Sequence, residues 1–497
     1  MNQTPEKHFK KTYDVVIIGG GINGAAVANI AASNGLSVAL FEKGDFASGT
    51  SSKSTKLVHG GLRYLENFEF DLVREALRER HVQLASAPHL VKPLSFVIPV
   101  YRTDARPLWM MKLGVWLYDR LSGKYVIKPH RALTAQEVSA ALPGIRRDGL
   151  VGGVEYYDAQ MDDARLCLEN VLSAREKGAD VANYMEVRSV IKEIGRAAGV
   201  RVRDVMTGKT FEVRAKRVVC CAGPWTNPLL EKDPIGIANR VRTTKGVHVV
   251  YKKKLSDRAV LLQIKKDRRI FFVIPWMGQS LIGTTDTDYN GSPDDLEVEA
   301  EDIRYLMTEA KKAFPNEIFE EKNIVATFAG LRPLVHQRGH PSKVSRKHVI
   351  EESPSGVVYV MGGKYTTYRL IAEDCVTKLL GKRAADSSRF YPVYGSGPVP
   401  VLAEDEDRKF AVAQGTVAYL RSFYGSRYMD VLQLVQEDPA CKEPVCDCSP
   451  VIAAQIVYAI RTEMARTADD VIWRRLGLGY QACGTKKCRK AVLKYFS

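Results

Sequence analysis

Tyr13-Asp14-Val15-Val16-Ile17-Ile18-Gly19-Gly20-Gly21-Ile22-Asn23-Gly24 decides the fold: a β-type apolar run meets G-x-G-x-x-G, and an alanine-rich stretch from Ala25 to Ala32 follows. A second apolar run, Leu36 to Phe41, ends at Glu42, 18 residues beyond Gly24. The glycine pattern alone is weak. Strand, glycine turn, helix, strand and terminal acid together predict a dinucleotide-binding βαβ unit. In such a unit Gly19 permits the tight turn, Gly21 lets the backbone approach a pyrophosphate, and Gly24 lets the helix pack on the strand. The helix N-terminus offers N–H groups and positive dipole to phosphate. Glu42 accepts hydrogen bonds from an adenosine ribose. Val15 to Ala32 is long enough to suggest a membrane span, but three consecutive glycines, Gly24 and two asparagines favour a buried strand running into a helix.

Outward from this unit, Gly49 to Lys56 is rich in hydroxyls, Ser51 and Ser52 among them, and suits a second phosphate contact to a longer flavin cofactor. Phe70–Ala85, Ala164–Lys177, Glu301–Phe314 and Thr367–Leu380 read as helices. Leu94–Val100, Arg217–Ala222 and Val357–Met361 read as strands, and Val247–Tyr251, Ile270–Pro275 and Ser280–Thr284 as strands of an antiparallel sheet. Ser396 to Pro400 is a Gly/Pro-rich break, with a helical pattern beyond it. This order predicts an α/β fold: a Rossmann-like domain from residues 12–90, 155–235 and 330–395, an interleaved antiparallel-sheet substrate or cap domain from 91–154 and 236–329, and a C-terminal helical domain over 396–497.

With 497 residues, 45% hydrophobic and 26% charged, the chain has ordinary globular composition, which excludes disorder, collagen and coiled coil. The net charge of +16 points to anionic partners without choosing among phosphate esters, lipid and nucleic acid. Met1 to Tyr13 is polar and lysine-rich and reads as no signal peptide. Nine cysteines, an odd number, then favour a reducing cytoplasm over a disulfide framework. Five of them crowd between Cys441 and Cys488.

The continuation Leu57-Val58-His59-Gly60-Gly61-Leu62-Arg63-Tyr64-Leu65 is more specific. With VCCAGPW at 219–225, KGVH at 245–248, IPW at 274–276, IGTTD at 282–286, GLRPL at 330–334 and GGKYTTYR at 362–369, it resembles the FAD-dependent glycerol-3-phosphate dehydrogenases of the D-amino-acid-oxidase-like flavoprotein group. The resemblance runs from about Tyr13 to Leu380 and more loosely to the end. Ala26, Ile30 and Asn34 stand where many members carry Gly, Asp and Arg, a departure that touches subfamily more than flavin binding. The resemblance implies FAD held by Gly19, Gly21, Gly24, Glu42, Ser51, Ser52, Gly223, Gly363, Lys364 and Thr366. It also implies oxidation of sn-glycerol 3-phosphate to dihydroxyacetone phosphate, with electrons passed to a quinone or an electron-transfer subunit.

That chemistry needs a base for the hydroxyl proton and cations for the phosphate. A guanidinium fork suits phosphate, so Arg332 and Arg346 are the phosphate candidates. By resemblance Arg332 is the family's substrate arginine, Arg346 matches a second, and Arg63 and Tyr64 match further substrate-side positions. A surface salt bridge is the competing reading of Arg346. Lys364, between a glycine pair and a helix start, is placed to stabilise reduced flavin. His248, with an ordinary pKa of about 6.5, is the first choice of base; His59 is its rival. The expected catalytic set is His248, Arg332 and Lys364.

Cys446-x-Cys448, 34 intervening residues and Cys483-x4-Cys488 can gather four thiolates. Sulfur-only ligation admits zinc or an iron–sulfur cluster. The pattern resembles the [2Fe-2S] domain of bacterioferritin-associated ferredoxins, which follows the flavin domain in the anaerobic type of glycerol-3-phosphate dehydrogenase; unligated thiols are the plain alternative. Leu108 to Leu121 has ten apolar residues of fourteen, too short to span a bilayer but able to lie in its interface on two tryptophans. Basic Lys252 to Arg269 would favour an anionic membrane surface; a buried helix beside a solvated charge run explains both features equally well. Peripheral attachment at the inner face of the cytoplasmic membrane is the expectation, with a homodimer left open. An O₂-using oxidase and an RNA-binding flavoprotein are the competing functions; no nucleic-acid module is visible.

Overall fold

The computed structural model describes residues 9–227, 229, 241–264, 269–335, 348–384, 392–399, 406–447, 449–482 and 485–496. The first apolar run is the strand Thr12–Ile18. It pairs in parallel with Val38–Phe41 on one side and with Thr210–Cys220 on the other. Asp180–Ala182 and Val357–Gly362 extend this parallel arrangement outward, and His348–Glu352 closes one edge antiparallel. Met185–Glu193 and Arg196–Asp204 complete the eight-stranded sheet through Thr210–Cys220.

Helices Ile22–Ser33, Asp163–Glu176 and Tyr368–Leu380 contribute to one apolar cluster with the central strands. The alanines of the first helix allow close approach. A side chain at Gly24 would put its Cβ 1.9 Å from the Gly19 carbonyl oxygen. The polar residue buried in this helix, Asn29, is matched by Asn170 and Lys177, both within hydrogen-bond reach. Val15 to Ala32 is therefore a strand and a helix, as the glycines indicated.

The second sheet has ten strands in the order Thr287–Asp288, Val241–Tyr251, Gln279–Gly283, Ile270–Trp276, Ala259–Gln263, Val91–Tyr101, Leu150–Met161, Leu57–Val58, with Ile324–Val335 and Arg131–Thr134 attached at the side. It is antiparallel except where Ala259–Gln263 runs parallel to Val91–Tyr101. The C-terminal part is helical, as expected: Thr416–Tyr424, Tyr428–Glu437, Ala453–Arg461 and Thr485–Leu493. Between the last two of these the chain also forms a π-helix, Asp470–Arg475. Among the described residues no helix is long and apolar enough to cross a membrane.

Candidate active site

A cavity of about 920 Å³ lies where the C-terminal ends of the parallel strands meet the second sheet. That is where an open α/β sheet binds ligands, because the strand ends and helix N-termini expose backbone groups there. The glycine loop forms one wall. Gly19 has φ +104°, and a Cβ on it would lie 2.7 Å from the Cys221 carbonyl oxygen, so only glycine lets the two strand ends approach. Among the described residues no acid sits in the first turn of the helix that begins on Gly21, leaving its positive end open to an anion. Ser51 Oγ accepts from Ile22 N at 2.9 Å and so braces that helix start. Glu42 accepts from the backbone N–H of Gly20 at 2.6 Å and of Gly44 at 2.9 Å; burial, outweighing these bonds, raises its carboxyl above the ordinary range. This cradle and its acid fit an adenine dinucleotide.

Of the other cofactor candidates, Gly223, Gly363, Lys364 and Thr366 line the cavity. Thr366 braces the backbone of His59 by two hydrogen bonds. The Lys364 ammonium lies 3.8 Å from the centroid of the Tyr64 ring. Ser52 sits behind the lining, its carbonyl accepting from Lys56. Cys221, one residue past the strand Thr210–Cys220, is buried in the core and edges the cavity.

The floor is made by the second sheet. Arg332 donates from Nη1 to Asp286 Oδ1 at 3.0 Å, and from Nη2 to Thr284 Oγ1 at 2.9 Å and to the Thr285 carbonyl at 3.1 Å. His248 lies opposite Phe328 on the neighbouring strand and stacks on it, 5.0 Å between centroids and 19° between planes. Its Nε2 is 3.0 Å from Thr55 Oγ1. Burial first, then the charges of Arg332 and Lys56, hold the imidazole well below its ordinary pKa, so it is neutral and able to take a proton. Arg63, Tyr64 and His59 also line the cavity. Arg346, Cys448 and Cys483 lie outside the described residues, as do Lys265, Lys266, Asp267 and Arg268 of the basic run.

Comparison with known proteins agrees with this construction. Residues 14–372 match the model of the FAD dependent oxidoreductase family, and residues 387–497 match the C-terminal domain of alpha-glycerophosphate oxidase. The chain belongs to the FAD-dependent oxidoreductases. This flavoenzyme is 38% identical to the glycerol-3-phosphate dehydrogenase of Synechocystis, over 97% of this chain and 95% of the relative. It is 35% identical to the aerobic glycerol-3-phosphate dehydrogenase of Bacillus subtilis, over 98% and 91%. The crystal structure of the Bacillus halodurans glycerol-3-phosphate dehydrogenase complexed with FAD superposes with a TM-score of 0.81 at 30% identity, covering 99% of this chain and 91% of that one.

Sequence reading missed how far the C-terminal part of the flavoenzyme reaches toward the site. Asp45, three residues past Glu42, receives Arg474 Nε at 2.5 Å and both terminal nitrogens of Arg475 at 2.6 and 2.8 Å. Burial would raise this carboxyl; the two guanidinium groups overcome it and lower the pKa to about 2. The Tyr480 ring meets Phe328 and Trp276 edge-on, at 6.0 and 5.0 Å. Nothing local in a sequence pairs Asp45 with Arg475. Thr284 and Asp286 were visible in the IGTTD block, but only the sheet register gives them Arg332 to hold. The cysteine pattern is half described. Cys446 and Cys488 are buried in one apolar cluster while Cys441 belongs to another. Among the described residues no three metal-ligating side chains converge. The C-terminal family matched is also a different one from the ferredoxin-like domain that the cysteines resemble.

Proposed function

We propose that this flavoenzyme oxidises sn-glycerol 3-phosphate to dihydroxyacetone phosphate. The observation that carries this reading is an arginine held from behind by Asp286, Thr284 and Thr285, beside a neutral histidine, on the floor of the cavity that the glycine cradle opens into. The names of the relatives support it. The division into residues 12–90, 155–235 and 330–395 for FAD, 91–154 and 236–329 for substrate, and 396–497 for the C-terminal domain is part of the same proposal.

FAD, when bound by Gly19, Gly21, Gly24, Glu42 and Ser51, supplies the hydride acceptor. The chain's own groups do the rest. Arg332, with Arg63 and Tyr64 from the same cavity lining and Arg346 as a second cation, binds the phosphate dianion and uses that binding energy to fix the alcohol end. His248 takes the hydroxyl proton on its ring nitrogen, and Thr55 holds the ring in place. Lys364, half-buried in the cavity lining just before the helix that begins at Tyr368, would offer positive charge to the reduced flavin. His248→Asn should lower kcat with glycerol 3-phosphate and an artificial dye by about a hundredfold. Near-normal turnover would move the base to His59.

The acceptor we read is a quinone at an anionic membrane surface. Helix Leu108–Ser122 buries Met111, Val115 and Tyr118 and exposes Trp109, Met110, Leu113 and Trp116. That is the face of an interfacial helix, with Lys112 and Arg120 beside the tryptophans. Cys446, Cys448, Cys483 and Cys488 are proposed to hold a [2Fe-2S] cluster, with zinc as the alternative occupant. Two irons per chain in protein purified without oxygen would support the cluster; no iron would remove it. A second reading, an oxidase, is favoured by the C-terminal match to alpha-glycerophosphate oxidase. Stoichiometric hydrogen peroxide during turnover in air, with no quinone reduction, would establish that reading.

A further inference from the structure

The floor of the cavity is bare at the points where its two reactive side chains lie. On the strand Val241–Tyr251, Gly246 faces Gly330 across the pair, Thr244 faces Arg332, and His248 faces Phe328. On its other side His248 faces Gly283. A Cβ placed on Gly246 would lie 2.4 Å from Arg332 Nη2, 2.7 Å from Cζ and 2.8 Å from Nη1. The guanidinium therefore lies against the backbone of Gly246 instead of standing over its own partner, Thr244. A Cβ on Gly283 would lie 2.4 Å from Cδ2 of His248, so the imidazole uses a bare position in the same way.

Residues two apart on a strand share a face. Gly246 and His248 are such a pair, and their separation along the strand is roughly 6–7 Å. Both ends of this interval are fixed. Asp286, Thr284 and Thr285 hold the guanidinium. Phe328 and Thr55 hold the imidazole. Gly330 serves another purpose: a Cβ there would meet the Lys53 carbonyl oxygen at 2.6 Å, so its bareness admits the chain segment that carries Thr55.

We propose that Gly246 is a specificity-determining residue, setting the distance between the anion-binding guanidinium and the proton-accepting imidazole, so that the site selects phosphomonoesters whose secondary hydroxyl is on the carbon next to the phosphate-bearing one. This rests on the assignment of Arg332 and His248 made above. A phosphate seated on the guanidinium and a hydroxyl on the adjacent carbon span the interval. One more methylene carries the hydroxyl past the imidazole. Any side chain at 246 lifts the guanidinium from the floor and changes the interval.

The test uses the FAD-loaded enzyme with dye reduction and three substrates: glycerol 3-phosphate, 2-hydroxypropyl phosphate and 3-hydroxybutyl phosphate. The unmodified enzyme should prefer 2-hydroxypropyl over 3-hydroxybutyl phosphate at least tenfold in kcat/KM; no preference overturns the proposal. Gly246→Ala, with FAD content unchanged, should raise KM for glycerol 3-phosphate at least tenfold, more than it lowers kcat, and should narrow the preference between the two analogues severalfold. A loaded variant with the original KM and preference overturns it. If Gly246→Ala does not retain FAD, Asp286→Asn reads the same quantities by loosening the guanidinium from behind, and an unchanged preference again overturns the proposal. An unmodified enzyme inert toward glycerol 3-phosphate would instead defeat the functional assignment itself.

Discussion

Two arginines show how differently one side chain is used around this cavity. Arg475 is fully buried, and its fork is spent on the Asp45 carboxylate and the Glu463 carbonyl. Arg332 is held by a carboxylate, a hydroxyl and a carbonyl, yet keeps about a quarter of its side chain exposed, and it lines the cavity. The surroundings make the difference. Around Arg475 the buried chain closes on every side. Under Arg332 the floor is glycine, so the guanidinium lies down on Gly246 and forms part of the cavity lining. The buried arginine locks the C-terminal part to the loop after Glu42; the other faces the cavity.

The comparison breaks most visibly at Asp45. Asp45→Ala leaves Arg474 and Arg475 as buried charges without that partner, which costs about 3–5 kcal/mol. Thermal unfolding should show a large fall, with FAD released at lower temperature because the affected loop adjoins Glu42. A melting curve like that of the unmodified protein would mean that the clamp contributes little.

Arg332→Ala should do the opposite, with stability changing little while kcat/KM for glycerol 3-phosphate falls by about 2–5 kcal/mol of transition-state binding. Preference over unphosphorylated glycerol should fall with it. An unchanged preference would place phosphate recognition elsewhere, on Arg63 or Arg346.

The smallest effect sharpens the electrostatic side of the comparison. His248 is depressed by burial first, then by Arg332 and by Lys56, which is itself paired with Asp163. The folded chain therefore carries it neutral at pH 7, and the acid limb of kcat/KM should fall below pH 6.5. The same sign governs stability. The unfolded chain takes up this proton first, so the contribution is complete above pH 6.5 and is lost as pH falls toward the depressed folded value. In Arg332→Ala the limb should move upward by a modest amount, since burial is the larger cause and remains. A limb that stays in place would separate the two groups electrostatically.

The Rossmann-like half of this chain was legible because its signals are local. A tight turn needs glycine at Gly19, a helix start needs a small residue at Gly24, and an acid ends the next strand at Glu42; all lie within one βαβ unit. The second sheet was legible as strands but not as a floor. Residues 248 and 332 are far apart in the chain, and only the pairing of Thr244 with Arg332 and of His248 with Phe328 brings them to one face. The helix at Leu108–Ser122 was readable as amphipathic, but which tryptophans reach solvent was settled by what the other face packs on.

What the sequence determined by itself, then, is the phosphate cradle, the alternation of elements and the inventory of candidate cations, thiols and bases. Each of these follows from backbone freedom or side-chain chemistry within a few residues. What only the tertiary structure decided is which of those groups meet. Gly246 matters because Arg332 lies on it, and Asp45 because Arg475 reaches it across 430 positions. Such meetings depend on strand register and on domain packing, which are sums of many weak contacts spread over the chain. No short stretch of residues records them.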